Sequence, residues 1–79
     1  MSMTIGGALL KAGDELLKAS AKFGPFASAH EGFAVLLEEV DELWDAVKIK
    51  QSDPTRVDKM RAEAIQVAAM ALRFLVDLC

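Results

Sequence analysis

The chain has one cysteine, one histidine, two prolines and no tyrosine. A single thiol, Cys79, excludes a disulfide framework and any metal site built on several cysteines. A single imidazole, His30, excludes a zinc centre of two or three histidines within one chain. Long apolar runs are missing as well. The stretch without a charged side chain from Ser2 to Leu10 falls far short of the ~20 residues that a membrane span needs, so no membrane is expected as a partner. No basic region leads into it, so no secretory signal is expected, and a free thiol fits a reducing, cytoplasmic setting. Basic charge is scarce too. Nine Lys and Arg stand against twelve Asp and Glu, the net charge is −3, and no nucleic-acid polymer is expected as a partner.

What the chain has in excess is apolar character. Its 79 residues are 53% hydrophobic, with a mean hydropathy of +0.27. That length is a single domain, residues 1–79, near the lower limit of independent folding. So small a domain cannot hide so much apolar surface, and a homo-oligomer is expected.

The pattern reads as all-α, a three-helix protomer of an oligomeric helical bundle. Pro25 and Pro54 lie in two short breaks, and each break separates two helical patterns. The first helix is predicted from about Thr4 to Lys22, with Ile5, Leu9, Ala12 and Leu16 on one face and Leu10 and Leu17 widening it. The second starts at Ser28, where Ser28 and Glu31 have the spacing of a reciprocal capping box, and runs to about Gln51. Phe33, Leu36, Leu37, Val40, Leu43, Trp44 and Val47 fall within about 120° of its circumference and form the predicted core stripe. The third runs from Thr55, a candidate cap paired with Asp58, to about Leu78. It is apolar nearly all round, which implies burial on more than one side.

The second helix also carries an anomaly. Between Glu31 and Asp45 it holds six carboxylates, and no Lys or Arg occurs between Lys22 and Lys48. Glu38 and Glu42 stand at i,i+4, as do Asp41 and Asp45, and each like-charge pair costs a few tenths of a kcal/mol, roughly. A divalent cation is the simplest compensation, although a merely solvated acidic face is the commonplace alternative. Glu39 and Glu42 sit one turn apart, at the edge where the apolar stripe meets the polar face. Glu63 and Gln66, at i,i+3 on the third helix, are placed to join them. Hard oxygen donors without Cys or paired His suggest Mg²⁺, with Mn²⁺ as the alternative.

Glu38-Glu39-Val40-Asp41-Glu42 matches the pattern Glu-Glu-x-x-Glu, and Glu63-Ala64-Ile65-Gln66 follows after twenty intervening residues. This pair of motifs on consecutive helices resembles the MazG-like nucleotide pyrophosphohydrolases of the all-α NTP pyrophosphatase superfamily. The resemblance extends over roughly Phe23 to Val76. It implies a Mg²⁺-dependent enzyme, working as a dimer or tetramer, that cleaves nucleoside triphosphates between the α and β phosphates, giving monophosphate and pyrophosphate, in nucleotide-pool house-cleaning. It also implies Glu39, Glu42 and Glu63 as metal ligands, and Glu38 as an outer carboxylate that ligates metal or orients the attacking water. The family's second motif ends in Asp where this chain has Gln66, whose carbonyl can ligate a hard cation or contact substrate but brings no charge.

A triphosphate also calls for cationic side chains. Lys48 is the first candidate and Arg73 the second, each against the alternative of an ordinary surface charge. For the base, Phe23, Phe26, His30 and Trp44 are candidates. Trp44 fits the core better, and His30 stands in the capping turn of its helix. The rival function is non-catalytic: a helical oligomerisation or partner-binding module with an acidic face for a basic partner, or a nucleotide sensor that binds without turnover.

Overall fold

The computed structural model describes residues 2–79 and contains three helices, α1 (Ile5–Lys22), α2 (Ala29–Val47) and α3 (Arg56–Leu78), with no strand among the described residues. Local chemistry sets the boundaries. The Thr4 hydroxyl accepts from the Gly7 amide at 2.9 Å and caps α1. The Ser28 hydroxyl accepts from the Glu31 amide at 3.1 Å and caps α2. The reciprocal half of the box shifts by one residue: Glu31 Oε1 accepts from the amide of Ala27 at 3.3 Å, not from that of Ser28.

Two sequence expectations fail at the second break. α2 stops at Val47, short of Gln51. The Ile49 amide donates to the Ala46 carbonyl at 3.2 Å in a tighter turn, and the Arg56 guanidinium donates to the Val47 carbonyl at 3.1 and 3.3 Å. A cation thus satisfies the C-terminal end of α2. At α3, Thr55 makes no side-chain cap and Asp58 forms no box. Asp53 does the local work instead, its Oδ1 accepting from the Thr55 hydroxyl at 2.7 Å and the Thr55 amide at 2.8 Å. Asp58 faces Arg61 at 3.8 Å.

α3 is the middle of the molecule. It packs against α1 on one side and α2 on the other, while α1 and α2 do not pack directly on each other. This is why α3 needs apolar residues nearly all round. Its Ala69 and Met70 join Ala19 of α1 and Phe26 of the first break in a small core, flanked by Val35, Leu36, Phe74 and Leu78. Among the described residues no large side chain is fully buried. The Cα radius of gyration is 13.4 Å, whereas a closed globule of this length has about 11.6 Å. No helix among the described residues is long and apolar enough to cross a membrane.

The predicted faces of α1 and α2 need correction. On α2 the side against α3 holds Gly32, Val35, Leu36, Glu39, Leu43 and Ala46, all buried or half-buried. Phe33, Leu37, Val40 and Trp44 are exposed, at 59%, 45%, 41% and 57%. On α1, Ala12 and Ala19 are buried, whereas Ile5, Leu9, Leu10 and Leu17 are exposed. Small side chains let the helices approach closely, and the larger ones are left outside that contact.

Gly32 marks the closest approach of α2 to α3. A Cβ there would lie 2.8 Å from Phe74 Cδ2, 2.9 Å from Leu78 Cδ1 and 3.2 Å from Phe26 Cδ2. Gly32→Ala should gain about 1 kcal/mol of helix propensity and lose about 1–3 kcal/mol to overpacking. A net destabilisation near 1 kcal/mol is expected in urea titration, and an unchanged or raised midpoint would show that Phe74 and Leu78 give way freely.

Candidate metal centre and cleft

Glu39 and Glu42 project from α2 toward α3, which presents Glu63. The i,i+3 spacing puts the two α2 carboxylates on one face, and the packing of α3 brings in the third. One oxygen from each of the three carboxylates lies within 4.8 Å of the other two. That is about the spread of ligands held 2.0–2.6 Å from a single hard cation.

The electrostatics are those of crowded anions. Burial, then the charge of Glu42 and further those of Glu63 and Glu38, raise the Glu39 carboxyl from 4.5 to about 7. Burial and the neighbouring Glu42 carboxyl also push Glu63 up. Glu39 Oε2 is buried and has no hydrogen-bond partner. An all-oxygen, acidic donor set with a partnerless buried oxygen fits a hard divalent cation.

The sign of the pH effect follows. An unfolded chain releases the Glu39 proton above about 4.5, whereas the folded chain holds it to about 7. The stability associated with the protonated carboxyl is therefore complete below pH 4.5 and is lost as pH rises through 7. Metal-free protein should melt at a progressively lower temperature across that window. Glu39→Gln should flatten the slope, and a wild-type melting profile that stays level from pH 5 to pH 8 would contradict this assignment.

Beside the carboxylates runs a cleft of ≈ 870 Å³ between α1 and α2, floored by α3. Glu15, Lys18, Ala19 and Lys22 line it from α1, Glu31, Val35 and Glu39 from α2, and Gln66, Met70 and Arg73 from α3. Phe23 to Phe26 close one end. A smaller hollow on the other side of the cluster is lined by Glu42, Asp45, Lys59 and Glu63 among others.

The candidate residues separate in this geometry. Glu39, Glu42 and Glu63 come together. Glu38 is exposed, close enough for its charge to act on Glu39. Gln66 lines the cleft with Glu39. Lys48 lies 3.1 Å from Asp45 and 5.7 Å from the centroid of the exposed Trp44 ring, away from the cleft lining. His30 is exposed in the first turn of α2 and also lies outside the cleft lining.

Arg73 borders the cleft, but its side chain is only 6% exposed. It donates to the Gly24 carbonyl at 2.6 Å, lies 3.5 Å from Asp77 and stacks 4.1 Å from the Phe26 centroid. It ties the first break to α3. Lys18, Lys22 and Lys59 are the cations that sequence reasoning passed over. Only for Lys59 was a signal present, in its i,i+4 spacing from Glu63. No protein-family model matches the chain, and no curated protein or solved structure matches it either.

Proposed function

We propose that this chain is a Mg²⁺-dependent nucleoside triphosphate pyrophosphohydrolase working as a homo-oligomer, as its resemblance to the MazG-like enzymes implies. The supporting observation is the convergence of Glu39, Glu42 and Glu63, of which Glu39 also lines the cleft that holds Lys18 and Lys22. The carboxylates would hold the metal, Mg²⁺ or Mn²⁺. Bound there, the ion supplies charge neutralisation to the polyphosphate and makes water a better nucleophile.

The chain's own residues divide the remaining work. Lys18 and Lys22 pair with phosphate oxygens and orient the polyphosphate along the cleft. Glu38, exposed next to Glu39, receives the proton of the attacking water. Water adds at one phosphorus of the α–β bridge, the bridging P–O bond breaks, and monophosphate and pyrophosphate leave. The half-exposed Phe23 ring and the Gly24-Pro25 turn offer the nucleoside an apolar end of the cleft.

The test is pyrophosphate release from a panel of ribo- and deoxyribonucleoside triphosphates, canonical bases and modified ones alike, with Mg²⁺ and with EDTA. Release that EDTA abolishes is expected. Mg²⁺ is also expected to raise the melting temperature more at pH 8 than at pH 5, because protons compete for Glu39 at the lower pH. A second reading rests on Gln66, the neutral residue in the cleft where the family pattern has Asp. Mg²⁺-dependent nucleotide binding without pyrophosphate release would make the protein a sensor. Absence of any nucleotide binding would leave a partner-binding module.

A further inference from the structure

The apolar side chains that the three helices leave exposed are not scattered. On α2, Glu31, Val35 and Glu39 line the cleft, and Phe33, Leu37, Val40 and Trp44 lie roughly 170° away around the helix. On α3, Gln66, Met70 and Arg73 line the cleft, whereas Ala64 and Ala68 line a separate groove with Ala8 and Ala12 of α1. The side of α2 turned away from the cleft is therefore apolar and uncovered.

The amount of uncovered surface is informative. A monomer of 8.5 kDa has about 4,650 Å² of accessible surface. This protomer exposes 5689 Å². The excess, about 1,000 Å², is close to the roughly 800 Å² that each partner contributes to a standard stable interface.

The α2 stripe also has the symmetry of a self-complementary patch. Its residues are spaced 4, 3 and 4 along the chain, a palindrome about the midpoint of Leu37 and Val40. A two-fold axis through that midpoint sets Phe33 opposite Trp44 and Leu37 opposite Val40 of an antiparallel copy. Charge selects the same direction. Asp41, Glu42 and Asp45 lie beyond that midpoint with Glu39 next to it, while the other half carries His30, Glu31 and, next to the midpoint, Glu38. Parallel copies would align acid with acid, and antiparallel copies keep the acidic halves apart.

We infer that the exposed stripe Phe33, Leu37, Val40 and Trp44 is the centre of an isologous interface with a second copy of this chain, the two α2 helices running antiparallel. It specifies the surface and direction of the assembly, and it stands independently of the proposed catalysis.

Trp44 is the chain's only tryptophan and reports directly. Native protein should sediment as an even-numbered oligomer, with emission that shifts to the red and becomes accessible to quencher on dilution. The variant L37K/V40K should associate at least about 100-fold more weakly, the loss expected when central anchors are removed. Circular dichroism checks that its helices persist.

Cross-linking keeps the test decisive if that variant unfolds. In a C79S background, oxidised mixtures of F33C with W44C should give the mixed disulfide, and F33C alone should give none. Cross-linking of F33C to itself, an oligomer unaffected by L37K/V40K, or native protein that stays monomeric at high concentration would each overturn the inference. Pyrophosphate release by a monomer would reject the interface and the oligomeric part of the proposed function, and leave the chemistry assigned to the carboxylates standing.

Discussion

Glu39→Gln and Glu42→Gln are each expected to lower pyrophosphate release by on the order of 100- to 1,000-fold, about 3–4 kcal/mol of barrier, without unfolding the protein. The amide has the size of the carboxylate and keeps a carbonyl oxygen, so packing against α3 is preserved. It loses the charge that three converging carboxylates would direct at a cation. For Glu39 the substitution should also stabilise metal-free protein at pH 8. The native carboxyl, raised to about 7, is ionised there at a cost that the neutral amide does not bear. Lost turnover with gained stability is the signature of groups placed for chemistry at the expense of the fold. Full activity in either variant would reject the metal centre. Lost activity together with a lowered melting temperature would reduce the cluster to a structural element. Glu63→Gln is expected to follow the same pattern.

The helices were legible because their ends are local. Thr4 and Ser28 cap with their own hydroxyls, and each bond spans three residues, a distance that sequence spacing reports faithfully. The α3 start was less legible because Asp53, two residues upstream of Thr55, captures the hydroxyl that was expected to cap. The faces were harder still. Periodicity locates an apolar arc but does not say whether that arc meets the same chain or another. On α2 the arc is wide, and the protomer uses one edge of it, with Gly32 and Ala46 bringing α3 close. Phe33, Leu37, Val40 and Trp44 remain on the other edge.

The carboxylates show the same division. That Glu39 and Glu42 share the border of the stripe follows from a spacing of three residues. That Glu63 meets them depends on how α3 packs: its i,i+3 spacing from Gln66 made it a candidate partner, and the motif spacing singled it out through resemblance. Lys18 and Lys22 enter the cleft from a helix remote in sequence from both acidic motifs. No local pattern connects them to Glu39.

Arg73 carries the second large prediction, because its sequence reading and its surroundings point to opposite experiments. As a phosphate cation it would tolerate Lys, and its loss would weaken nucleotide binding alone. Its side chain is instead almost wholly buried, with the Gly24 carbonyl at 2.6 Å, Asp77 at 3.5 Å and the Phe26 ring beneath it. Asp77 in turn accepts from the Phe26 amide at 3.1 Å, so one guanidinium and one carboxylate fasten the α1–α2 connection to the end of α3. Arg73→Ala leaves the Asp77 charge buried and the Gly24 carbonyl short of a donor, at an expected cost of about 3–5 kcal/mol. Against a total stability of roughly 5–15 kcal/mol, that is enough to unfold a large fraction of a small domain. Lys cannot reproduce the planar fork or the stacking, so Arg73→Lys should recover only part of the loss. The discriminating variant is R73M/D77N. It fills the volume, removes the stranded charge and keeps an acceptor for the Phe26 amide, so it should be more stable than R73M alone by at least about 1.5 kcal/mol in urea titration. Additive losses in that cycle would show that the pair is not coupled. Arg73→Ala with native stability and weakened nucleotide binding would return Arg73 to the phosphates.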